Sequence, residues 1–262
     1  MKLIDTHTHI YLEDFDADKD EVVQRAINNG VTQMLLPNID KDSVTLLLEF
    51  CANYPDNCYP MIGLHPTSVK DDYREQLRFL EKTLIENKFV AIGEIGLDFY
   101  WDKTYYEQQF DAFRTQVNWA KQHHLPVAVH TRNAFPQILD ELEALQDGNL
   151  RGVLHCFSGT YEEAQRALAL GFYLGIGGVL TYKKSTLPDI VKKIPIERLL
   201  LETDAPFLPP VPYRGKRNEP AYLIEIAKKI AEVKETDLET VAYLCTENSK
   251  KLFLTAQNDT RR

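Results

Sequence analysis

Lys2-Leu3-Ile4-Asp5-Thr6-His7-Thr8-His9 opens the chain with a short apolar run that ends in two histidines one residue apart. Read as a strand, it puts Asp5, His7 and His9 on one face, because strand side chains alternate with a period of two. Two imidazoles at that spacing can approach a single cation from the same side. His-x-His alone is weak evidence, since histidines also serve as hydrogen-bonded structural residues. Repetition strengthens it. Cys58 to His65, Phe89-Val-Ala-Ile-Gly-Glu94, Leu125-Pro-Val-Ala-Val-His130, Gly152-Val-Leu-His155 and Leu199-Leu-Leu-Glu-Thr-Asp204 are further apolar runs that end on an ionisable residue.

Between these runs lie segments with helical periodicity. Val22, Val23, Ala26 and Ile27 recur at helical spacing, with Gly30 as the residue that closes the helix. Helices are predicted over 42–51, 73–86, 106–123, 136–145, 161–170 and 187–193. Val31 to Pro37 and Phe172 to Gly177 complete a count of eight strands. Near-continuous apolar strands alternating with helices indicate a parallel sheet covered by helices, and eight units close a (β/α)8 TIM barrel. A doubly wound open sheet is the competitor, and no GxGxxG follows the first strand to support it. Two amphipathic helices, 221–233 and 237–253, are expected to pack on the barrel, with a frayed polar tail from Gln257 to Arg262. The whole of 1–262 reads as one α/β domain.

Composition narrows the function. A chain of 262 residues, 44% hydrophobic, can bury a sizeable core. The absence of a long apolar run, and a start that reads as a core strand, predict a soluble cytoplasmic enzyme with no membrane partner. Four cysteines without CxxC spacing read as reduced small hydrophobes, Cys156 included. A net charge of -9 excludes broad electrostatic adhesion to nucleic acid, so any phosphate-bearing substrate needs local cations. Nothing sets the oligomeric state, and a monomer is the default.

In a TIM barrel the active face is formed by the C-terminal ends of the strands, where His9, His65, Glu94, His130, His155 and Asp204 all fall. Such a convergence leaves buried polar atoms unpaired unless cations organise it. Nitrogen and carboxylate donors suit Zn²⁺ best, with Mn²⁺ or Mg²⁺ as alternatives. The expected arrangement is two divalent ions, with His7, His9 and Asp204 on one, His130 and His155 on the other, and Glu94 between them. Asp5 and Glu202 read as acceptors that orient imidazoles, and Asp98 fits either role. His123 and His124, near a helix C-terminus, read as structural. Gly175 and Gly177 mark either a close backbone approach or room for substrate.

With these residues in place, the chain resembles the TatD family of metal-dependent deoxyribonucleases over essentially its whole length. The resemblance is carried by Asp5-Thr-His-Thr-His9, Gly63-Leu-His-Pro66, Gly93-Glu-Ile-Gly-Leu-Asp98, His130-Thr-Arg132, His155-Cys-Phe-Ser-Gly159, Leu201-Glu-Thr-Asp-Ala-Pro206 and Arg214-Gly-Lys-Arg-Asn-Glu-Pro220. It implies a TIM barrel with a dinuclear site whose ligands match His7, His9, Glu94, His130, His155 and Asp204, and 3′–5′ exonuclease action on single-stranded DNA. Tyr11 and Asn133 depart from the family pattern and bear on substrate preference. The residues themselves point the same way, towards in-line hydrolysis of a phosphodiester. Asp204, Glu94 and His65 are the catalytic candidates, Asp204 as general base and His65 with Arg132 stabilising phosphate charge. The basic, proline-rich stretch 205–220 reads as an ordered lid that offers Arg214, Lys216 and Arg217 to phosphates. Phe99, Tyr100 and Trp101 suit either stacking on splayed bases or packing under a loop. The rival readings are a barrel amidohydrolase for a small amide, lactone or ester, an aminoacyl-tRNA deacylase, and a non-catalytic binder of metal or nucleic acid. Many barrel amidohydrolases use a carboxylated lysine where this chain has Glu94, which favours the nuclease.

Overall fold

The structure, a computed structural model, describes residues 1–254. The tail read as frayed, 257–262, lies outside the described residues. Strands β1 (Leu3–Asp5), β2 (Val31–Pro37), β3 (Cys58–Met61), β4 (Ile92–Asp98), β5 (Val127–Arg132), β6 (Gly152–Leu154), β7 (Tyr173–Ile176) and β8 (Leu199–Leu201) alternate with helices. These are α1 (Lys19–Asn28), α2 (Ser43–Asn53), α3 (Tyr73–Glu86), α4 (Tyr106–Gln122), α5 (Phe135–Leu145), α6 (Tyr161–Ala169), α7 (Leu187–Lys193) and α8 (Leu223–Lys234), followed by α9 (Leu238–Ser249).

All pairings are parallel, in two ladders of order β1-β2-β3 and β4-β5-β6-β7-β8. Two short seams join the ladders into a ring. At one, Thr6 N donates to Leu201 O at 3.0 Å, Asp204 N to His7 O at 2.9 Å and His9 N to Ala205 O at 2.7 Å. At the other, Ile62 N donates to Ala91 O at 3.2 Å and Gly93 N to Ile62 O at 2.8 Å. The result is a closed (β/α)8 barrel, which leaves no free sheet edge.

Two apolar layers hold it. Between strands and helices lies the large outer core, to which helix residues such as Val22, Leu47, Leu80 and Phe113 contribute. Inside the ring a smaller cluster takes Ile4, Leu35, Met61, Ala128, Val153, Tyr173 and Leu200 from the strands, and Leu252 and Phe253 from the turn after α9 plug it. The interior is therefore packed below and polar above.

The strands are shorter than the sequence suggests. β1 stops at Asp5, β3 at Met61, β6 at Leu154 and β8 at Leu201, so His7, His9, His65, His155 and Asp204 stand on the segments that leave the strands. Simple alternation also fails twice. It carries inward-facing Ala128 to His130 and Val153 to His155, but Ile92 packs in the outer core with Ile95 and Leu97 while Glu94 faces the centre. On β1 it is Ile4 that points inward, and His7 and His9, of opposite parity, reach the centre only after the strand has ended. In β4 an extra residue lies between Ile92 and Ile95 relative to β5, which re-aims the side chains beyond it. The shift opposite Leu3 and Ile4 instead places the extra residue on β2 and leaves the alternation of β1 intact up to its end at Asp5. The expected common face of Asp5 with His7 and His9 is corrected accordingly.

Candidate metal centre

Glu94 sits at the middle of a buried cluster of imidazoles, with its two oxygens serving opposite sides. Oε2 lies 3.1 Å from His7 Nε2 and 3.7 Å from His9 Nε2. Oε1 lies 2.8 Å from His130 Nδ1, 3.5 Å from His65 Nε2 and 3.7 Å from His155 Nε2. Asp204 closes the cluster, with Oδ1 3.7 Å from both His9 Nε2 and His155 Nε2. Its φ of 58° is left-handed, a conformation that costs a non-glycine residue on the order of 1–3 kcal/mol and that concentrates at functional sites.

Charge in this cluster is poorly compensated by protein alone. Burial, reinforced by His155, holds the His7 imidazole well below its ordinary range, and burial brings His9 down to about 4. Burial also opposes charge on His155 and His130, but neighbouring carboxylates outweigh it. Glu202, Glu94 and Asp204 lift His155 to about 10, and Asp98 with Glu94 lifts His130 to about 9. Desolvation pushes Asp204 up to about 7. For Glu94 burial is overcome by His65, His7 and His155 and by the hydrogen bond from His130, so its carboxyl lies well below the usual range. Meanwhile His7 Nδ1 and His9 Nδ1 are buried without a hydrogen-bond partner.

The neutral buried imidazoles of His7 and His9, their orphaned nitrogens and the ionised central carboxylate fit divalent cations, which need deprotonated N and O donors. Donor atoms of His7, His9 and Glu94, of His65, Glu94 and His130, and of His7, His155 and Asp204 lie within 4.8 Å of one another in each set. The expected ligands thus come together, but the partition differs from the one read in the sequence. Asp204 groups with His7 as expected, but His155 groups with His7 too while lying near the same Glu94 oxygen as His130, and His65, expected only to contact phosphate, stands within ligand reach. Its Nδ1 is held by Thr67 Oγ1 at 2.6 Å.

A model of TatD-related DNases matches residues 4–254. The chain belongs to the TatD family. Among the relatives it matches, YabD of Bacillus subtilis, described as an uncharacterized metal-dependent hydrolase, is 40% identical over 252 residues, 96% of this chain and 98% of its own. The crystal structure of the TatD homologue YjjV of Escherichia coli superposes with a TM-score of 0.91 at 31% identity, covering 96% of this chain and 97% of that one. A TatD-family hydrolase of Entamoeba histolytica gives 0.83 at 26% identity, covering 97% and 98%. The protein is a metal-dependent hydrolase of this family.

Around the TatD centre, the supporting residues are specific. Glu202 Oε1 lies 3.0 Å from His155 Nδ1 but accepts the Cys156 N–H, so it faces the imidazole without an aligned hydrogen bond. A Cβ on Gly175 would come within 2.2 Å of Glu202 Oε2, so this glycine serves close approach of a carboxylate rather than room for substrate. Asp5 departs from its expected role. It accepts from His7 N at 3.2 Å, Thr203 N at 2.9 Å and Thr203 Oγ1 at 2.5 Å, and so pins the backbones that carry His7 and Asp204 instead of orienting a ring. Asp98 supplies the imidazole contact instead, with Oδ2 2.9 Å from His130 Nε2. Tyr11, one of the two departures from the family pattern, is buried beneath His9 and donates to Pro37 O at 2.8 Å. Asn133 is exposed and left-handed at φ 54°, which asparagine tolerates.

Above the centre opens a cleft of about 570 Å³, lined by His9, His65, Glu94, His130, His155 and Asp204 on its floor and by Arg132, Trp101, Phe207 and Leu208 higher up. Arg132 is the expected phosphate contact that the fold delivers to it. Arg214 stacks on Tyr182 with its guanidinium carbon 3.9 Å from the ring centroid, and neither it nor Lys216, which is exposed, lines the cleft. Arg217 is turned away altogether. It donates to Asp18 Oδ1 and Oδ2 at 2.7 and 2.8 Å and to Asp14 O at 2.8 Å, over the Phe15 ring, so the expectation that it binds substrate is corrected. Phe99 is buried and stacks on Tyr106, leaving Tyr100 and Trp101 exposed. Phe207 and Leu208 were legible only as part of a proline-rich lid, although two apolar residues directly after the Asp204 motif were a usable signal.

Proposed function

We propose that the chain is a deoxyribonuclease that removes nucleotides from the 3′ ends of single-stranded DNA, as one domain with two divalent ions, Zn²⁺ best matching the donors. One observation carries this reading: a single carboxylate, Glu94, addresses two separate sets of imidazoles at the floor of one cleft. Bound there, divalent ions would activate water and neutralise the nonbridging oxygens of a phosphate. His7 and His9 would hold one side, His130 and His65 the other, with His155 and Asp204 between them.

The chain's own groups complete the chemistry. Asp204 Oδ1, in reach of both His9 and His155, accepts the proton of the attacking water. Arg132 reaches the phosphate from the rim, where no carboxylate of the described residues pairs with it. The depth of the floor, with His7, Glu94 and His155 all buried, favours a chain end over the middle of a duplex.

The test is cleavage of end-labelled oligonucleotides alongside a panel of esters and lactones, with and without EDTA. The reading predicts stepwise loss from the 3′ end, abolished by EDTA and restored by a divalent ion. Full nuclease activity in EDTA, or hydrolysis of esters and lactones alone, would overturn it.

A further inference from the structure

The cleft walls carry apolar side chains that the metal chemistry does not use. Trp101 is 68% exposed and Phe207 51%, with Tyr100 and Leu208 also exposed beside them. Large apolar groups left in water around a polar pit usually mark where a partly apolar ligand sits.

The two walls stand on opposite sides of Glu94. Trp101 belongs to the side of His130: Asp98 Oδ1 accepts the N–H groups of Tyr100 at 2.9 Å and Trp101 at 3.4 Å, while Oδ2 of the same carboxylate takes His130. Phe207 belongs to the side of His9, with ring centroids 6.2 Å apart. Its loop is pinned, since Phe207 N donates to Asp204 O at 2.8 Å and Asn218 Nδ2 to Phe207 O at 2.7 Å. On the Trp101 wall, the Arg132 guanidinium packs over Tyr100 at 3.8 Å and near Trp101 at 5.1 Å, which holds a cation against an aromatic face.

We propose that Trp101 and Phe207, with Leu208, form a clamp for an unpaired nucleobase adjoining the phosphate held at Glu94 and Arg132. The inference rests on the nuclease reading and names what that site recognises. The occupant must present a flat π-face to Trp101 and an anion to Arg132 and the floor at the same time. A nucleotide does both, and any base can be stacked because every base has such a face. A base still in its pair stays in its own stack and brings the complementary strand with it, so the clamp selects splayed ends.

The experiment compares two full-length preparations of the same oligonucleotide, one with a normal 3′-terminal nucleotide and one abasic at that position. With wild-type metal-loaded protein, kcat/KM favours the base-bearing end by about ten- to a hundredfold. Trp101→Ala and Phe207→Ala each shrink that ratio, mainly by raising KM for the base-bearing end, while Trp101→Phe, which keeps a flat face, retains most of it. Both positions are exposed, so these variants are expected to fold. An unchanged ratio in Trp101→Ala and Phe207→Ala overturns the clamp.

Fluorescence separates this failure from failure of the nuclease reading. The chain has two tryptophans, and Trp119 is buried within α4, so quenching by added oligonucleotide reports Trp101. Quenching by the base-bearing end that is absent with the abasic end, and weaker in Phe207→Ala, supports the clamp even if no divalent ion yields cleavage. Cleavage failing in every ion then counts against the nuclease reading alone. Equal quenching by both ends, or none, counts against the clamp.

Discussion

The two ends of the barrel are built from the same strands and hold opposite contents. At the lower end, Ile4, Leu35, Met61, Ala128, Val153 and Leu200 meet Leu252 and Phe253 in a dry cluster. At the upper end, five histidines, Glu94 and Asp204 are drawn into contact, with orphaned nitrogens and a left-handed aspartate. The lower end is arranged for stability. The upper end is unfavourable for a protein alone and becomes sensible once divalent ions supply the missing positive charge. A change at one end should therefore read out as activity and a change at the other as stability.

The largest effect is expected at Glu94. Glu94→Gln removes the charge shared by both imidazole sets and should lower hydrolysis per folded molecule by at least about a thousandfold; steady-state rates with folded protein verified by circular dichroism check this. Retention of near-normal turnover would break the contrast between the two ends. Phe253→Ala sharpens it from below. Emptying the 2%-exposed plug should cost ~3–5 kcal/mol of unfolding free energy in a urea titration, with kcat of the folded fraction close to normal.

The smallest effect lies on the flank, where the lid is tied to α1. Asp18 accepts from both Arg217 and Arg25, and Arg25 also grips Glu219 at 2.7 Å. The hydrogen bond from Arg217, then that from Arg25, brings the Asp18 carboxyl to about 2, below its ordinary 3.8. A carboxyl lowered on folding contributes stability that is present above its unfolded pKa and lost as pH falls through the folded value. Asp18→Asn should therefore cost about 1 kcal/mol or less near neutral pH. The gap to wild type should narrow as pH falls from about 4 towards about 2, as followed by urea titrations at several pH values. A gap independent of pH would mean that the clasp acts through packing and not through charge.

The sequence made the frame and most of the centre legible because both are written locally. An apolar run ending on a histidine or an acid needs no distant partner to be noticed, and its repetition gives the barrel and the residues at its mouth. Two kinds of information were out of reach. A period-two rule cannot see the extra residue in β4, nor that β1 ends at Asp5 so that His7 turns inward only beyond the strand. Residues whose meaning depends on a partner far along the chain were misassigned too. Arg217 meets Asp18 across 199 positions, and Asp5 meets Thr203 across 198. A lid rich in cations looks ready for phosphate until the fold shows that one guanidinium already has a carboxylate. Glu202, by contrast, was readable as a neighbour of an imidazole from its spacing to Asp204, although it makes no aligned hydrogen bond to His155, and a side chain at Gly175 would collide with its carboxylate.

The central claim is that Glu94 stands between two divalent ions. Crystals of the purified protein grown with Zn²⁺ or Mn²⁺ and measured at the metal absorption edge test it directly. Two anomalous peaks per chain are predicted, one on the His7–His9 side of the Glu94 carboxylate and one on the His65–His130 side. A single peak, or ions bound away from Glu94, would contradict the account.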